Sequence, residues 1–365
     1  MGVARYFPAN RAFVIAEIGT SHRGDHLRAR KLVDAAADAG ADCVKTQIVY
    51  AEEIVHPAAG TIELPGGAVA VFDRFTELEL PLEFFAETAQ HCERRGMAFL
   101  ASCFGRRGLA DLTELGLDVV KIASPEINHA SLLRGVRDAS LGAILSTGVS
   151  TLCDIERALE LTGREATGLL HCVTSYPAPE EDYNLRVITH LSRMFGVPVG
   201  VSDHSADPVL VPSASVALGA RAVEKHLTLS RAGEGLDDAI ALEPEGFARM
   251  VSAVRRASSR STEETLNELS TSYGDERLEA VLGDGVKRLA ASEACNYGRS
   301  NRSILATADI AAGETIGEHN AAALRSEQNV TPGLSPFDWE HVRGARAARS
   351  IPNGTGILWT HLLSS

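Results

Sequence analysis

The sequence predicts an α/β protein, a (β/α)8 barrel followed by a small β-rich domain. Three observations carry this. Eight apolar, strand-like runs recur in the first 230 residues, each ending in or beside a polar residue. Every run but the last is followed by a helical stretch before the next, and a glycine stands just past most of these stretches, where helix stops favour it. The chain of 365 residues exceeds the roughly 250 of a single barrel, which leaves room for a second, smaller unit.

The first run, Phe13 to Ile18, leads into a stretch from Leu27 to Ala39 in which Leu32, Val33, Ala36 and Ala37 keep helical spacing up to Gly40. Strand, helix and next strand, Asp42 to Gln47, make a βαβ unit. An excursion from Tyr50 to Leu80, with Pro57, Gly60, Pro65 and Gly66, reads as an elaborated loop over the mouth of the barrel. The alternation then resumes with helix Leu82 to Arg95, strand Met97 to Cys103, helix Leu109 to Leu115 and strand Val119 to Ser124. It continues through Ser131 to Ser140, Ala143 to Thr147, Leu152 to Leu161 and Gly168 to Val173. Leu185 to Met194, Val197 to Ser202, Val209 to Leu218 and Ala220 to His226 complete eight strands, a count that favours closure over an open sheet.

A helix near Phe247 to Arg256 comes next, and the barrel is assigned to 1–270. Polar sequence from Ser258 to Gly274, then Gly283, Gly285 and Lys287 without periodicity, reads as an inter-domain linker, assigned to 271–300. From Asn301 short β-prone pieces, Ser303 to Ala306 and Ile357 to Thr360, are broken by Gly313, Gly317, Pro332, Gly333, Pro336, Pro352 and Gly354. This gives a small β-rich domain at 301–365.

The 48 acidic against 35 basic residues, net charge −13, argue against nucleic acid or an acidic membrane as partner. No apolar run approaches the roughly 18 residues of a membrane span, and Met1 to Arg11 holds no long apolar segment, so a cytoplasmic location is expected. Six scattered cysteines without a CxxC pair read as reduced and structural.

In a (β/α)8 barrel the carboxyl ends of all strands converge on one mouth. Glu17, Lys45, Gln47, Ser102, Lys121, Ser124, Glu126, Ser146, Tyr176, Ser202, His204 and His226 are thereby expected to share a site. His204 and His226 close neighbouring strands, and two imidazoles with open positions suit a divalent cation that keeps water and substrate; hydrogen-bonded rim histidines are the alternative. Lys45 and Gln47, two apart, share a strand face. A lysine at a strand end is costly without an anion, so Lys45 and Lys121 point to a phosphate or carboxylate ligand, or to internal pairing with Glu17 or Glu126. Hydroxyls recur around the rim at Ser102, Ser124, Ser146, Thr147 and Ser202. One of Glu17 and Glu126 could take a proton from water while the other orients a sugar hydroxyl, or both could simply neutralise the lysines. No GxSxG elbow, dinucleotide fingerprint or P-loop occurs.

With these residues placed, the chain resembles the sialic acid synthase family, including pseudaminic and legionaminic acid synthases. The likeness rests on Ile15-Ala16-Glu17-Ile18-Gly19, ADCVKTQ (41–47), KIASPE (121–126), LSTG (145–148), LHCVTSYP (170–177), GVSDHS (200–205) and VEKH (223–226), in this order. Arg302 to Leu363 looks like the family's antifreeze-like (SAF) domain, of β-clip build. The resemblance implies condensation of phosphoenolpyruvate with an N-acylated amino hexose, N-acetylmannosamine-like or a 2,4-diacetamido sugar, and water, giving a nonulosonic acid and phosphate.

Residue by residue, it implies that Lys45, Ser102, Lys121, Ser124, Ser146 and Ser202 hold phosphoenolpyruvate. His204 and His226 would bind the metal, Mn2+ foremost, with Mg2+ or Co2+ as alternatives. Glu17 would handle the attacking water, and Gln47, Glu126, Tyr176 and Asp237 would contact the sugar. Arg325 would reach in from the neighbouring chain of a domain-swapped homodimer. Departures from the family pattern fall mainly on the sugar side: Ser21-His22 for Asn-His, Thr174-Ser175 before Tyr176, Ala239 and Ala241 near Asp237, and SEQNVTPGLSP (326–336) after Arg325. Two competing readings are a Schiff-base pyruvate aldolase using Lys121 or Lys45, and a non-catalytic carbohydrate-binding relative.

Overall fold

A computed structural model describes residues 2–64, 67–233 and 235–363. Pro65 and Gly66 of the expected loop lie outside the described residues. Between the second and third barrel strands a hairpin is inserted, so the eight barrel strands are β1 (Phe13–Gly19), β2 (Cys43–Gln47), β5 (Ala98–Ser102), β6 (Val119–Ile122), β7 (Gly142–Ser146), β8 (Thr167–Cys172), β9 (Val199–Asp203) and β10 (Ala222–His226). All are parallel, and they close in the order β1-β10-β9-β8-β7-β6-β5-β2. The inserted hairpin pairs β3 (Thr61–Leu64) with β4 (Gly67–Ala70) and leads into a short helix, α2 (Val71–Thr76).

The other helices are α1 (His26–Asp38), α3 (Leu82–Arg94), α4 (Arg106–Glu114), α5 (Ala130–Asp138), α6 (Leu152–Thr162), α7 (Val187–Phe195), α8 (Leu210–Ala217) and α9 (Pro244–Ser258). Each of the eight strands and helices expected in the barrel forms, with ends shifted by a few residues, as fraying caps dictate. Their apolar faces pack against the outward strand residues in one continuous core that includes Val14, Leu32, Val44, Phe84, Leu133 and Phe247.

Strand period two sorts the inward positions into layers. At the bottom Phe13, Ile15, Cys43, Leu100, Val119, Ile144, Leu170 and Ala222 form an apolar floor, plugged by the N-terminal turn carrying Val3, Tyr6 and Phe7. Phe7 fills the space that a Cβ at Gly168 would need, its nearest ring atom only 2.2 Å from that position. One step further along each strand the same face presents Glu17, Lys45, Ser102, Lys121, Ser146, Cys172, Ser202 and Glu224, all buried. An apolar plug below and polar groups above give the barrel one working end.

The expected linker differs. The stretch from Ser258 through Gly274 to Gly283 is not coil: α10 (Thr262–Tyr273) and α11 (Asp275–Leu282) occupy it, so a boundary at residue 270 falls within a helix. Ser261 and Glu264 form a capping box that starts α10. Beyond residue 300, β11 (Arg302–Ala306) pairs antiparallel with β12 (Ala321–Arg325), with Arg302 opposite Arg325. Ile304, Ala306, Ile310, Ile316, Val342, Ile351 and Ile357 close a separate core, beside a short helix α12 (Trp339–Val342). The strand expected at Ile357 to Thr360 is absent: Gly356 makes an isolated bridge to Leu305, and Trp359–His361 is a 3-10 turn. All six cysteines are free, and no described helix is long and apolar enough to cross a membrane.

Candidate active site

The mouth of the barrel encloses a cavity of about 400 Å3. Of the fourteen site residues expected from sequence, thirteen line it: Glu17, Lys45, Gln47, Ser102, Lys121, Ser124, Ser146, Tyr176, Ser202, His204, His226, Asp237 and Arg325. The exception is Glu126. Its carboxylate is fully buried behind the wall, one oxygen taken by Arg302 and the other by Arg325 at 2.5 Å. Glu126 therefore holds arginines, outside the cavity lining and without pairing to either lysine.

The lysines find other partners. Lys45 pairs closely with Glu17, donates to Ser102 Oγ at 3.1 Å, and lies 3.8 Å from Glu224. Lys121 donates to Ser146 Oγ at 2.7 Å and stands 3.8 Å from the other oxygen of Glu224, which also accepts from Ser202 Oγ at 2.9 Å. Glu224 is not among the residues singled out from the sequence, yet it lies two positions before His226 and so on the same strand face. That spacing is the signal that reaches it.

Burial works against every charge here, and the pairing decides the outcome. Burial raises Glu17, reinforced by the like charge of Glu224, and Lys45 only partly offsets it, so this carboxyl sits above its ordinary range. Burial pulls Lys45 down, but Glu17 and Glu224 reverse this and leave the ammonium raised. Lys121, with Glu224 as its main opposite charge and Lys45 nearby, is held below the usual lysine range by burial. Glu224 ends lowered because Lys121 and Lys45 outweigh its burial.

Above this layer the two imidazoles face each other, ring centroids 5.5 Å apart. The Nδ1–H of His204 reaches the Val173 carbonyl at 2.9 Å, leaving Nε2 available to the cavity. Burial opposes a charge on this ring, but the neighbouring Cys172 and the carbonyl raise it to about 9. His226 is held well below 6.5 by burial and by surrounding cations, and its Nδ1 lies 3.8 Å from Asp237. A metal–nitrogen bond of about 2.1 Å lets two rings share one ion when their centroids stand roughly 5–6 Å apart, so the pair fits a cation. No group of three or more His, Cys, Asp and Glu among the described residues is arranged to hold a metal, so an ion held by the two imidazoles would keep positions for water and substrate.

The outer wall is assembled from loops. Tyr176, about half exposed, stacks on His204 with centroids 4.4 Å apart. Asp237 stands on a loop fixed by its neighbour Asp238, which accepts from Ser21 at 2.5 Å, Thr228 at 2.7 Å and the Gly235 amide at 2.9 Å. Ser21 thus braces the loop from behind, whereas Ala239 and Ala241 do not line the cavity. Gly148 is needed for its size: a Cβ there would lie 2.1 Å from Thr174 Oγ1, and its amide donates to Ser124 Oγ at 3.0 Å.

Thr174, singled out from the sequence as a sugar-side departure, also lines the cavity, while several lining residues escape the sequence reading: Phe75 after the hairpin, Cys172, and Asn296, Ser300 and Glu327 from the C-terminal third. Glu293, on the segment before β11, is buried and accepts the backbone amides of Val149 at 2.9 Å and Thr174 at 2.7 Å, tying two mouth loops together. Arg325 reaches the mouth of the barrel, where it lines the cavity and takes one oxygen of Glu126.

Comparison with known proteins points the same way. Residues 32–265 match the NeuB family and residues 301–363 match the SAF domain. Spore coat polysaccharide biosynthesis protein SpsE of Bacillus subtilis is 36% identical over 96% of this chain and 93% of its own length. N,N'-diacetyllegionaminic acid synthase of Campylobacter jejuni is 31% identical over 93% of this chain and 97% of its own. The crystal structure of the B. subtilis SpsE protein superposes with a TM-score of 0.83 at 34% identity, covering 98% of this chain and 97% of that one. N-acetylneuraminic acid synthetase from Leptospira borgpetersenii gives 0.62 at 30% identity over 73% of this chain and 94% of that one.

Proposed function

Because the chain belongs to the NeuB family, we propose that it is a nonulosonic acid synthase that joins phosphoenolpyruvate to an N-acylated amino hexose with release of phosphate. The observation that carries this reading is the pair of buried lysines, each beside a serine hydroxyl and both close to one carboxylate, beneath two facing imidazoles. Two ammonium groups with hydroxyl donors suit a small polyanion bearing carboxylate and phosphate. Glu17, Glu224, Lys45 and Lys121 cancel in formal charge, so this layer alone does not balance a substrate carrying up to three negative charges. A divalent ion held by His204 and His226, Mn2+ foremost, would supply the remaining positive charge and polarise the aldehyde as a Lewis acid.

Lys45, Lys121 and the serines Ser102, Ser124, Ser146 and Ser202 hold the enol phosphate with its C3 facing the opening. Gln47, Tyr176, Asp237 and Arg325 orient the sugar with its aldehyde toward that carbon. A bond forms between C3 and the aldehyde carbon, whose oxygen gains a proton, leaving positive charge at C2. Water adds to C2 as Glu17 takes its proton, a task that suits a carboxyl raised by burial. The C2–O bond to phosphate then breaks, giving inorganic phosphate and a nine-carbon 2-keto acid. Supplying phosphoenolpyruvate labelled with 18O at the bridging oxygen tests this directly: the label is expected in phosphate, and its retention in the sugar acid would refute the C–O cleavage.

Thr174 stands at the sugar side with a buried Oγ1 that has no hydrogen-bond partner. Such a group gains when a substrate hydroxyl or amide meets it. Thr174→Val is expected to raise the KM for the sugar about tenfold with kcat nearly unchanged, worth about 1.4 kcal/mol, as steady-state kinetics would show.

The lowered Lys121 is the feature that favours a Schiff-base aldolase. Its ammonium is engaged by Ser146 and the Ile122 carbonyl and faces Glu224. Borohydride with pyruvate is accordingly expected to leave the protein mass unchanged; a mass gain on Lys121 would favour the aldolase.

A further inference from the structure

We propose that a buried ion pair on the outer face of the barrel wall, Asp203 with Lys225, acts with the Tyr183 hydroxyl to hold His204 and His226 in place for a shared divalent cation. These are positioning residues, and their role rests on the synthase reading, in which the two imidazoles grip one ion.

Strand period two sets the pair apart. On β9 and β10 Ser202 and Glu224 face the mouth, so Val201 and Asp203, and Val223 and Lys225, face outward. Val201 and Val223 belong to the main core beneath the helices, and the charged pair ends a face that is otherwise apolar. Neither charge reaches solvent: the Lys225 and Asp203 side chains are 1% and 0% exposed, with Nζ 2.6 Å from Oδ2. Stability alone accounts poorly for such a pair. Withdrawing two charges from water offsets most of their attraction, and packed apolar residues often do as well.

Its position in the sheet supplies the reason. Asp203 and Lys225 stand opposite each other, and among the described residues theirs is the last rung of the β9–β10 ladder. His204 and His226 follow one residue later. His226 still pairs with Glu17 on β1, but His204 lies past the last rung on both sides, since the β8–β9 ladder stops at Cys172 and Ser202. Side-chain bonds take over there. Besides Asp203, the Lys225 ammonium donates to the Ser205 carbonyl at 2.5 Å and lies 3.4 Å from Ser205 Oγ, so it grips the residues on either side of His204. Asp203 Oδ1 accepts the Ser205 amide at 2.8 Å, closing a tight turn with His204 at its apex. The Tyr183 hydroxyl accepts the His204 amide at 2.6 Å and hydrogen-bonds Asp203. Tyr183 is itself fully buried, its carbonyl accepting from His171 Nε2 at 2.5 Å.

His204 is thus fixed on its own loop, while one ammonium from the neighbouring strand sets where it stands relative to His226. An ion with two protein ligands needs both nitrogens about 2.1 Å from one point, so a shift of one strand end against the other loosens it directly. Groups that orient metal ligands are commonly worth about 10–100-fold in affinity.

Mn2+ alone is the probe, titrated into the full metal-free chain and followed by the paramagnetic resonance signal of the free aqua ion. Asp203→Asn/Lys225→Met removes both charges yet keeps an acceptor for the Ser205 amide, and Tyr183→Phe removes the hydroxyl. Val136→Ala, a cavity-forming change on α5 across the ring of strands, controls for lost stability. Both test variants are expected to bind Mn2+ at least about tenfold more weakly, with Val136→Ala at wild-type affinity. Wild-type affinity in the test variants, or an equal loss in Val136→Ala, would overturn the proposal and leave the pair a role in the fold alone. Should the double variant fail to fold, Tyr183→Phe decides.

A second measurement needs no ion. In metal-free protein carrying 15N-labelled histidine, the ring signals of His204 and His226, assigned from His204→Asn and His226→Asn, are expected to broaden or split in both test variants. Those of His91 on α3 are expected to stay unchanged. Unaltered His204 and His226 signals would refute the positioning role. If wild-type protein binds no Mn2+, the cation reading fails, and the ring signals still decide whether the pair holds the imidazoles.

Discussion

Replacing Lys121 by methionine is expected to lower kcat/KM for phosphoenolpyruvate by about 10²–10³-fold, mostly through KM, while the protein stays folded. The methionine stem fills the space of the lysine stem, so the buried packing changes little. What is lost is a cation poised beside Ser146 and Glu224. Glu224 is not stranded, because Lys45 and Ser202 remain in reach. The stability loss should therefore fall below the roughly 3–5 kcal/mol of a buried charge left alone. Adding Glu224→Gln should recover most of that stability without recovering activity, a non-additivity expected of groups in one network. Steady-state phosphate release and chemical denaturation on the four proteins would check both parts. A Lys121→Met variant with near-normal kinetics would remove the lysine pair from the anion site.

Glu126→Ala is expected to be among the most destabilising single changes in the chain, by about 3–5 kcal/mol, because it leaves Arg302 buried without a counter-charge. Arg302 would keep its backbone carbonyls, which solvate a guanidinium only in part. Arg325 loses the carboxylate that fixes it over the mouth, so activity is expected to fall as well. The pair also carries a pH signature. Burial tends to raise Glu126, but Arg302 and Arg325 outweigh it and depress its folded pKa below the ordinary 4.5. Its contribution is complete above that value and is lost as pH falls through the depressed folded pKa. Wild-type stability should thus fall more steeply below pH 4.5 than that of Glu126→Gln, as denaturation curves across that range would show. Parallel curves would mean that the arginines do not depend on the charge.

Strand period and helix spacing read well from this sequence because both are local properties of residue order. Each barrel strand is legible, and period two correctly puts Lys45 and Gln47 on the mouth side. The same rule carried one step further in VEKH reaches Glu224, so that omission is one of application. The helices in the stretch after Ser258 escape notice for another reason. They are largely polar on their outer faces, and the Ser261-Glu264 capping box is the cue that outweighs weak periodicity.

Glu126 cannot be placed from order alone. Whether a carboxylate at a strand end faces the mouth or a seam depends on what docks beyond it, and Arg302 is 176 residues away. The same holds for Glu293, whose partners Val149 and Thr174 are 144 and 119 residues distant. Buried ion pairs and loop braces of this kind are long-range by nature. Neither hydrophobic pattern nor local propensity encodes them.

The central claim is that the lysine layer and the facing imidazoles work together on an enol phosphate and an aldehyde sugar. It is tested most directly by inorganic phosphate release from phosphoenolpyruvate, using chelator-treated protein, a panel of 2-acetamido and 2,4-diacetamido hexoses, and Mn2+ titrated back. The account predicts release only when both cation and an acceptor sugar are present, and its loss in His226→Ala. Phosphate release that ignores the cation, persists in His226→Ala, or fails with every sugar would contradict it.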